Sequence, residues 1–153
     1  MQTKTMNFEI TPHIGIGAVK LGMSKEEIKT ILGSSSYSGS SNSSDYYFSN
    51  SFQIEFSEGG ADFIGISYSP EYVVLYQGKN VFDIEALELF ELIAKNESGI
   101  HKYDSYEYLF PEQILTLWDA DEQYVRIDGE ERVIWAQVGI GSNSYLKAVA
   151  KNA

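Results

Sequence analysis

The residues of this sequence best suited to chemistry are carboxylates. The densest run is Asp119, Asp121 and Glu122, continued by Asp128, Glu130 and Glu131. A calcium loop would need a glycine where Tyr124 stands and an oxygen ligand where Gln123 stands, so the EF-hand pattern is not met. Paired acids for glycoside hydrolysis need a sugar-lined cleft and one acid buried enough to hold its proton, which hairpin tips do not supply. Two readings are left: solvated turn residues, or a patch that recognises Lys and Arg of a protein partner. Asp119, Asp121, Glu122, Asp128, Glu130 and Glu131 are therefore the candidate partner-binding residues.

Other reactive types are sparse. His13 and His101 are the only histidines, and neither has a partner at ligand spacing. There is no cysteine, so disulfides and thiolate chemistry are excluded. The serines include no Gly-x-Ser-x-Gly elbow. Gly15-Ile16-Gly17 lacks the third glycine and the following helix of a phosphate-cradling loop, and reads as a close backbone turn. No catalytic residue, metal or cofactor is expected, and the chain does not read as an enzyme. Trp118 and Trp135 alternate with polar neighbours and are expected in the core. Glu85, Glu88 and Glu91 form the outer side of a helix, a solvated face or a second acidic recognition surface.

Charge narrows the partner. With 22 acidic against 11 basic residues the formal net charge is −11. Such a surface repels nucleic acid and anionic membranes and attracts basic proteins, although acidity also serves solubility alone. The first residues contain no apolar leader core or lipidation cysteine, and no stretch is long enough to span a membrane. A cytoplasmic protein is expected. The length of 153 residues suits one domain, 1–153.

The elements that would position these residues begin with a helix. Ser24 and Glu27 form a capping box, Met23 and Ile28 a hydrophobic staple, and Ile28, Ile31 and Leu32 share one face. Gly33 stands at the left-handed C-terminal cap position. Before it, residues 7–10 suit an edge strand stopped by Pro12. After it, the Ser/Gly-rich stretch 34–44 predicts a flexible loop. Alternation predicts a strand at 52–57; Glu58-Gly59-Gly60 turns it in a hairpin to its partner at 63–68, and the continuous apolar run at 72–76 predicts a central strand, with a short strand at 46–49 before them. Asp83 suits the N-cap of a second helix, with Phe82 and Leu87 as its staple and Leu87, Phe90 and Ala94 on one face beside Ala86, Leu89 and Ile93. Further strands are expected at 106–110, 113–118, 124–127 and 132–140, with Asp128-Gly129 as a hairpin turn. Residues 145–149 suit a last short strand or a frayed tail. The sum is an α+β fold: an antiparallel sheet with two principal helices, and a hint of a duplicated helix-plus-hairpin unit.

The segment from Gly17 to Gly33, with Leu21-Gly22-Met23-Ser24 and Glu27-Ile28 at its centre, resembles the Leu-Gly-Met-Thr/Ser-x-x-Glu-Val-x-x-x-Leu-Gly motif of small bacterial helix-plus-sheet proteins. These include β-lactamase-inhibitor-like modules, outer-membrane-assembly lipoproteins and immunity-type proteins. Residues 77–83 are also similar to the turn before the second helix in immunity-type members. The lipoproteins carry a signal peptide and an anchoring cysteine and the secreted inhibitors carry disulfides, features this sequence lacks. The resemblance therefore implies a cytosolic immunity protein that binds and occludes a cognate toxin domain, often a basic nuclease. The alternative is a small-ligand protein or enzyme with a Tyr-rich pocket between sheet and helix.

Overall fold

The computed structural model describes residues 6–120, 124–127 and 130–151. The chain opens with β1 (Met6–Thr11), whose Phe8 and Ile10 point inward while their neighbours are exposed. It doubles back through β2 (Gly15–Ile16) and β3 (Val19–Lys20). Gly17 makes this turn at φ 62°, where a Cβ would overlap the Phe8 ring. β1 is not the expected edge strand. It pairs antiparallel with β2 and parallel with β8 (Tyr72–Tyr76), from Met6↔Tyr72 to Glu9↔Leu75. β9 (Lys79–Asn80) completes a mixed sheet in the order β3-β2-β1-β8-β9. The all-antiparallel expectation fails at the β1–β8 pair because a parallel pair needs a long crossover, here every element between residues 11 and 72, and hairpin signals report only sequence neighbours.

Helix α1 (Lys25–Leu32) is built by the capping box its sequence announces: Glu27 N donates to Ser24 Oγ at 3.2 Å and Ser24 N to Glu27 Oε1 at 3.1 Å. Ile28 is fully buried, but Ile31 is exposed and Leu32 only half-buried, so the apolar face is narrower than expected. Gly33 has φ 89° and ψ 140°, a positive-φ conformation that favours glycine but is not left-handed helical, and its N–H still donates to Lys29 O. Helix α2 (Ala86–Ala94) starts later than an Asp83 cap would place it; Glu85 holds the cap position without a side-chain bond. Asp83 instead faces Arg132, and Leu87 is exposed, so the Phe82–Leu87 staple does not form. Ala86, Leu89, Phe90 and Ile93 make the buried face. The Trp135 indole N–H donates to Ala86 O at 3.0 Å and ties the start of α2 to the core.

The second sheet is antiparallel, seven-stranded, and ordered β10-β11-β14-β7-β6-β5-β4. It comprises β4 (Tyr37–Ser41), β5 (Ser44–Tyr47), β6 (Phe52–Ser57), β7 (Gly60–Ile66), β10 (Glu107–Phe110), β11 (Leu115–Trp118) and β14 (Gln137–Gly141). The Ser/Gly-rich stretch 34–44, expected as a loop, is a 3-10 turn at Ser34–Ser36 followed by the edge strand β4. Backbone pairing with β5 needs no apolar side chains, and Tyr37 holds the edge by packing edge-on against Tyr47 at 5.4 Å. The strand expected at 132–140 breaks in two. β13 (Glu130–Val133) pairs only with β12 (Tyr124–Ile127), and residues 134–136 turn inward so that Trp135 is buried before β14 begins. The Asp128-Gly129 turn lies outside the described residues. Residues 145–149 are neither strand nor tail but part of a third helix, α3 (Asn143–Lys151), so two principal helices become three. Ser142 Oγ accepts the Tyr145 N–H at 3.2 Å, an N-cap that the many neighbouring serines conceal.

Phe8, Ile16, Val19, Ile28, Ile54, Ile64, Val74, Leu89, Ile93, Trp135, Val138 and Ile140 belong to one buried cluster, drawn from both sheets and from α1 and α2. Tyr47 is fully buried there, and its hydroxyl is without a hydrogen-bond partner. Burial, then Asp45 and Tyr37, push that hydroxyl up to about 12.

Ser24→Ala removes the α1 cap and is expected to cost about 1 kcal/mol, read as a lowered denaturation midpoint. Tyr47→Phe removes a buried polar group that nothing compensates, and chemical denaturation should show it neutral to stabilising by up to about 1–3 kcal/mol.

Candidate functional site

Strand alternation gives the seven-stranded sheet two faces. One carries the core residues Phe52, Ile54, Ile64, Ile66, Leu115, Leu117, Val138 and Ile140. The other is crossed by α3 and holds a cavity of about 430 Å³. Its floor lies where glycines line up. Gly65 of β7 is paired with Gly139 of β14, and the space their missing side chains leave is filled from the side. A Cβ on Gly139 would overlap the Phe63 ring, and one on Gly65 the Gln137 amide. Tyr145 of α3 lies over Gly141 and stacks on Phe63 at 4.8 Å with an interplanar angle of 27°.

A row of polar and aromatic groups runs across the other end of this face. Glu107 is paired with Trp118, and Trp118 with Gln137, on the consecutive strands β10, β11 and β14. All three residues line the cavity. Trp118 is 47% exposed, whereas Trp135 is 1% exposed; the expectation that both are core holds for Trp135 alone. Gln137 Nε2 donates to Gln53 Oε1 at 3.1 Å, which fixes the amide.

Glu55 of β6 lies at the opposite end of the cavity. No described residue offers its carboxylate a hydrogen bond or a cation. Burial raises its pKa, with Asp62 adding to the effect. Burial also raises the Tyr145 hydroxyl, and Glu55, Glu107 and Asp62 add to that in turn. Tyr145 therefore sits in the negative field of both ends. Among the described residues no Lys, Arg or His lines the cavity. The charged groups among its described lining residues are Glu55 and Glu107.

The acidic residues expected from sequence connect to this face through the backbone. Asp119 follows Trp118, has φ 50°, and turns the chain out of β11 while its N–H donates to Tyr106 O at 2.7 Å. The strand pair β12–β13 then leaves and returns, and Ala136 N donates back to the Trp118 and Asp119 carbonyls. Glu131 is exposed on β13, opposite Arg126. Asp121, Glu122 and Asp128 lie outside the described residues, as does the side chain of Glu130. Glu85, Glu88 and Glu91 are exposed on α2. Among the described residues no His/Cys/Asp/Glu group is arranged to hold a metal. His101 is engaged by the Tyr108 hydroxyl at 2.7 Å and Ser98 O at 2.8 Å. No helix among the described residues is long and apolar enough to cross a membrane.

Glu55, Glu107, Gln137 and Tyr145 were not legible as a site from sequence. The available signal was alternation: Glu107 and Leu109 on one strand, Thr116 and Trp118 on another, and glycine at 65 and 139 where an apolar strand should carry side chains. No family model matches the chain, and no curated protein or solved structure matches it.

Because the folded protein raises the Glu55 pKa above its ordinary 4.5, protonated Glu55 favours the fold. That contribution is present below the unfolded pKa and is lost as pH rises through the folded one. Glu55→Gln should therefore raise the melting temperature relative to wild type at pH about 7, with the difference shrinking towards pH about 4.

Proposed function

We propose that this protein is a cytoplasmic, non-enzymatic binding module that captures and neutralises a basic protein partner, as an immunity protein does with a cognate toxin domain, for example a basic nuclease. The observation that carries this reading is the outer face of the seven-stranded sheet. It is a groove over a glycine floor covered by Phe63 and Tyr145, with a carboxylate at each end and no cation among its described lining residues, in a chain of formal net charge −11. A negative surface of this kind steers a basic partner into encounter and disfavours nucleic acid and anionic membranes. Occlusion needs no cofactor and no metal.

In this reading Asp119, Asp121, Glu122, Asp128, Glu130 and Glu131 add to partner recognition: Asp119 follows Trp118 at the end of β11, and Glu131 is exposed on β13. The motif at residues 17–33 and the arrangement of the sheet support it further. β5, β6 and β7 mirror β10, β11 and β14 about the central β7–β14 pair, as a duplicated helix-plus-strands unit would. The second reading is a small-ligand protein. The half-open cavity between the sheet and α3, bordered by Tyr145 and Val149, favours it, and the volume falls within the range of ligand sites.

The test is binding to the product of the gene immediately upstream, measured as association rates over a salt series. The rate is expected to fall steeply as the Debye length shortens below about 10 Å. Neutralising these six acids to Asn and Gln should slow association more than it moves the melting temperature. Equal rates and equal salt slopes for wild type and the neutralised variant would remove the hairpin from the interface. A stoichiometric metabolite retained through purification, with no protein bound, would favour the second reading.

A further inference from the structure

We infer that the Glu107–Trp118–Gln137 row is a pocket for one arginine side chain of the partner. This rests on the reading above and specifies what the groove recognises.

The row is set by strand register rather than by flexible loops. Its three residues are direct cross-strand neighbours on one face, and at about 4.8 Å per strand the row spans about 10 Å. That breadth suits a planar cation lying on an indole with an acceptor to either side. Trp118, the middle member, is half-exposed, and a guanidinium stacks on an aromatic face by both cation–π attraction and planar contact. Glu107 is exposed and supplies a carboxylate beside it. Gln137 uses its Nε2 to hold Gln53, with its amide drawn over Gly65, so its Oε1 is an acceptor on the β7 side of the row. The Thr116 and Tyr145 hydroxyls also border the cavity.

The surrounding groups are therefore rich in acceptors and divergent in direction. Arginine brings five N–H donors in a fixed fork, whereas lysine brings three on a point charge and cannot stack. Among the described residues no basic side chain lines the cavity to neutralise it. Glu55 at the far end keeps the field negative along the groove, so a second basic residue or the partner's own N–H groups would meet an acceptor there.

The probe is N-acetyl-arginine methylamide, titrated into the intact protein and followed by the two indole N–H signals in NMR. The Trp118 signal should move and saturate, while that of Trp135, hydrogen-bonded inside the core, should not. The lysine and citrulline analogues should bind on the order of tenfold more weakly or worse. Glu107→Gln should abolish the shift of the Trp118 signal without lowering the melting temperature. In Trp118→Ala and Trp118→Phe, which lack that indole, binding is read by calorimetry: the alanine variant should lose it, and the phenylalanine variant, which keeps an aromatic face, should retain part of it. An unmoved Trp118 signal, or equal responses to arginine and citrulline, would overturn the pocket. If a basic protein partner binds wild type and Trp118→Ala equally well, the pocket is wrong and the binding-module reading stands. If arginine binds at Trp118 and no basic protein does, the pocket stands and the partner reading falls.

Discussion

The structure depends on one antiparallel pairing, β7 with β14, from Val138↔Ile66 to Gly141↔Phe63. It joins a meander from the first half of the chain to strands from the second, so it closes the sheet across more than seventy residues of intervening chain. The pair has two unlike faces. Ile64, Ile66, Val138 and Ile140 enter the core, where full burial of each side chain contributes on the order of 1.5–3 kcal/mol. The opposite face is stripped to glycine at 65, 139 and 141, which lets Gln137, Phe63 and Tyr145 lie close against the backbone. The same pairing thus stabilises the fold and creates the low floor of the groove.

Glycine in a central strand weakens it through chain entropy and lost packing. Here the loss is offset by aromatic coverage: the Phe63 ring fills the space over Gly139, and Tyr145 stacks on Phe63 from α3. The contact also positions α3, whose first turn is held by Ser142 accepting from Tyr145 and bonding to Asp62. A carboxylate left at the edge of this apolar surface is a local conflict. Glu55 is partly desolvated, faces Asp62, and has no described cation to relieve it. Local conflicts of this kind concentrate at binding surfaces, where a partner resolves them.

The acidic hairpin and the groove share one physical origin. β11 and β14 stop pairing at Trp118 and Gln137. From there Asp119 takes a left-handed conformation and sends the chain out, and Trp135 brings it back by inserting into the core against α2. Trp135 is therefore a hinge between a sheet built from the core outward and a ribbon, β12–β13, that pairs only with itself. Trp118 and Trp135, alike in sequence context, end in opposite environments because one lies on the outer face of the sheet and the other sits in the break between strands.

What the sequence by itself determined is local. The Ser24–Glu27 cap, the alternation of Phe52 and Ile54 and the hairpin after Ser57 follow from interactions within a few residues and appear as expected; the buried face of α2 does so at Ala86, Leu89, Phe90 and Ile93 but not at Leu87, which is exposed. Its charge and its lack of cysteine bound the chemistry in the same direct way. Tertiary structure decided what depends on distant partners. β1 became a central strand because β8 lies alongside it, and Ser/Gly-rich residues became an edge strand because β5 offers a ladder that any backbone can join. Asp83 gave up a cap and met Arg132, and residues 145–149 became a helix because the glycine-lined face gave Tyr145 a surface to cover. Glu55, Glu107, Trp118 and Gln137 are separated by up to 82 positions in the chain. Only the strand order brings them to one face, and no local preference encodes that order.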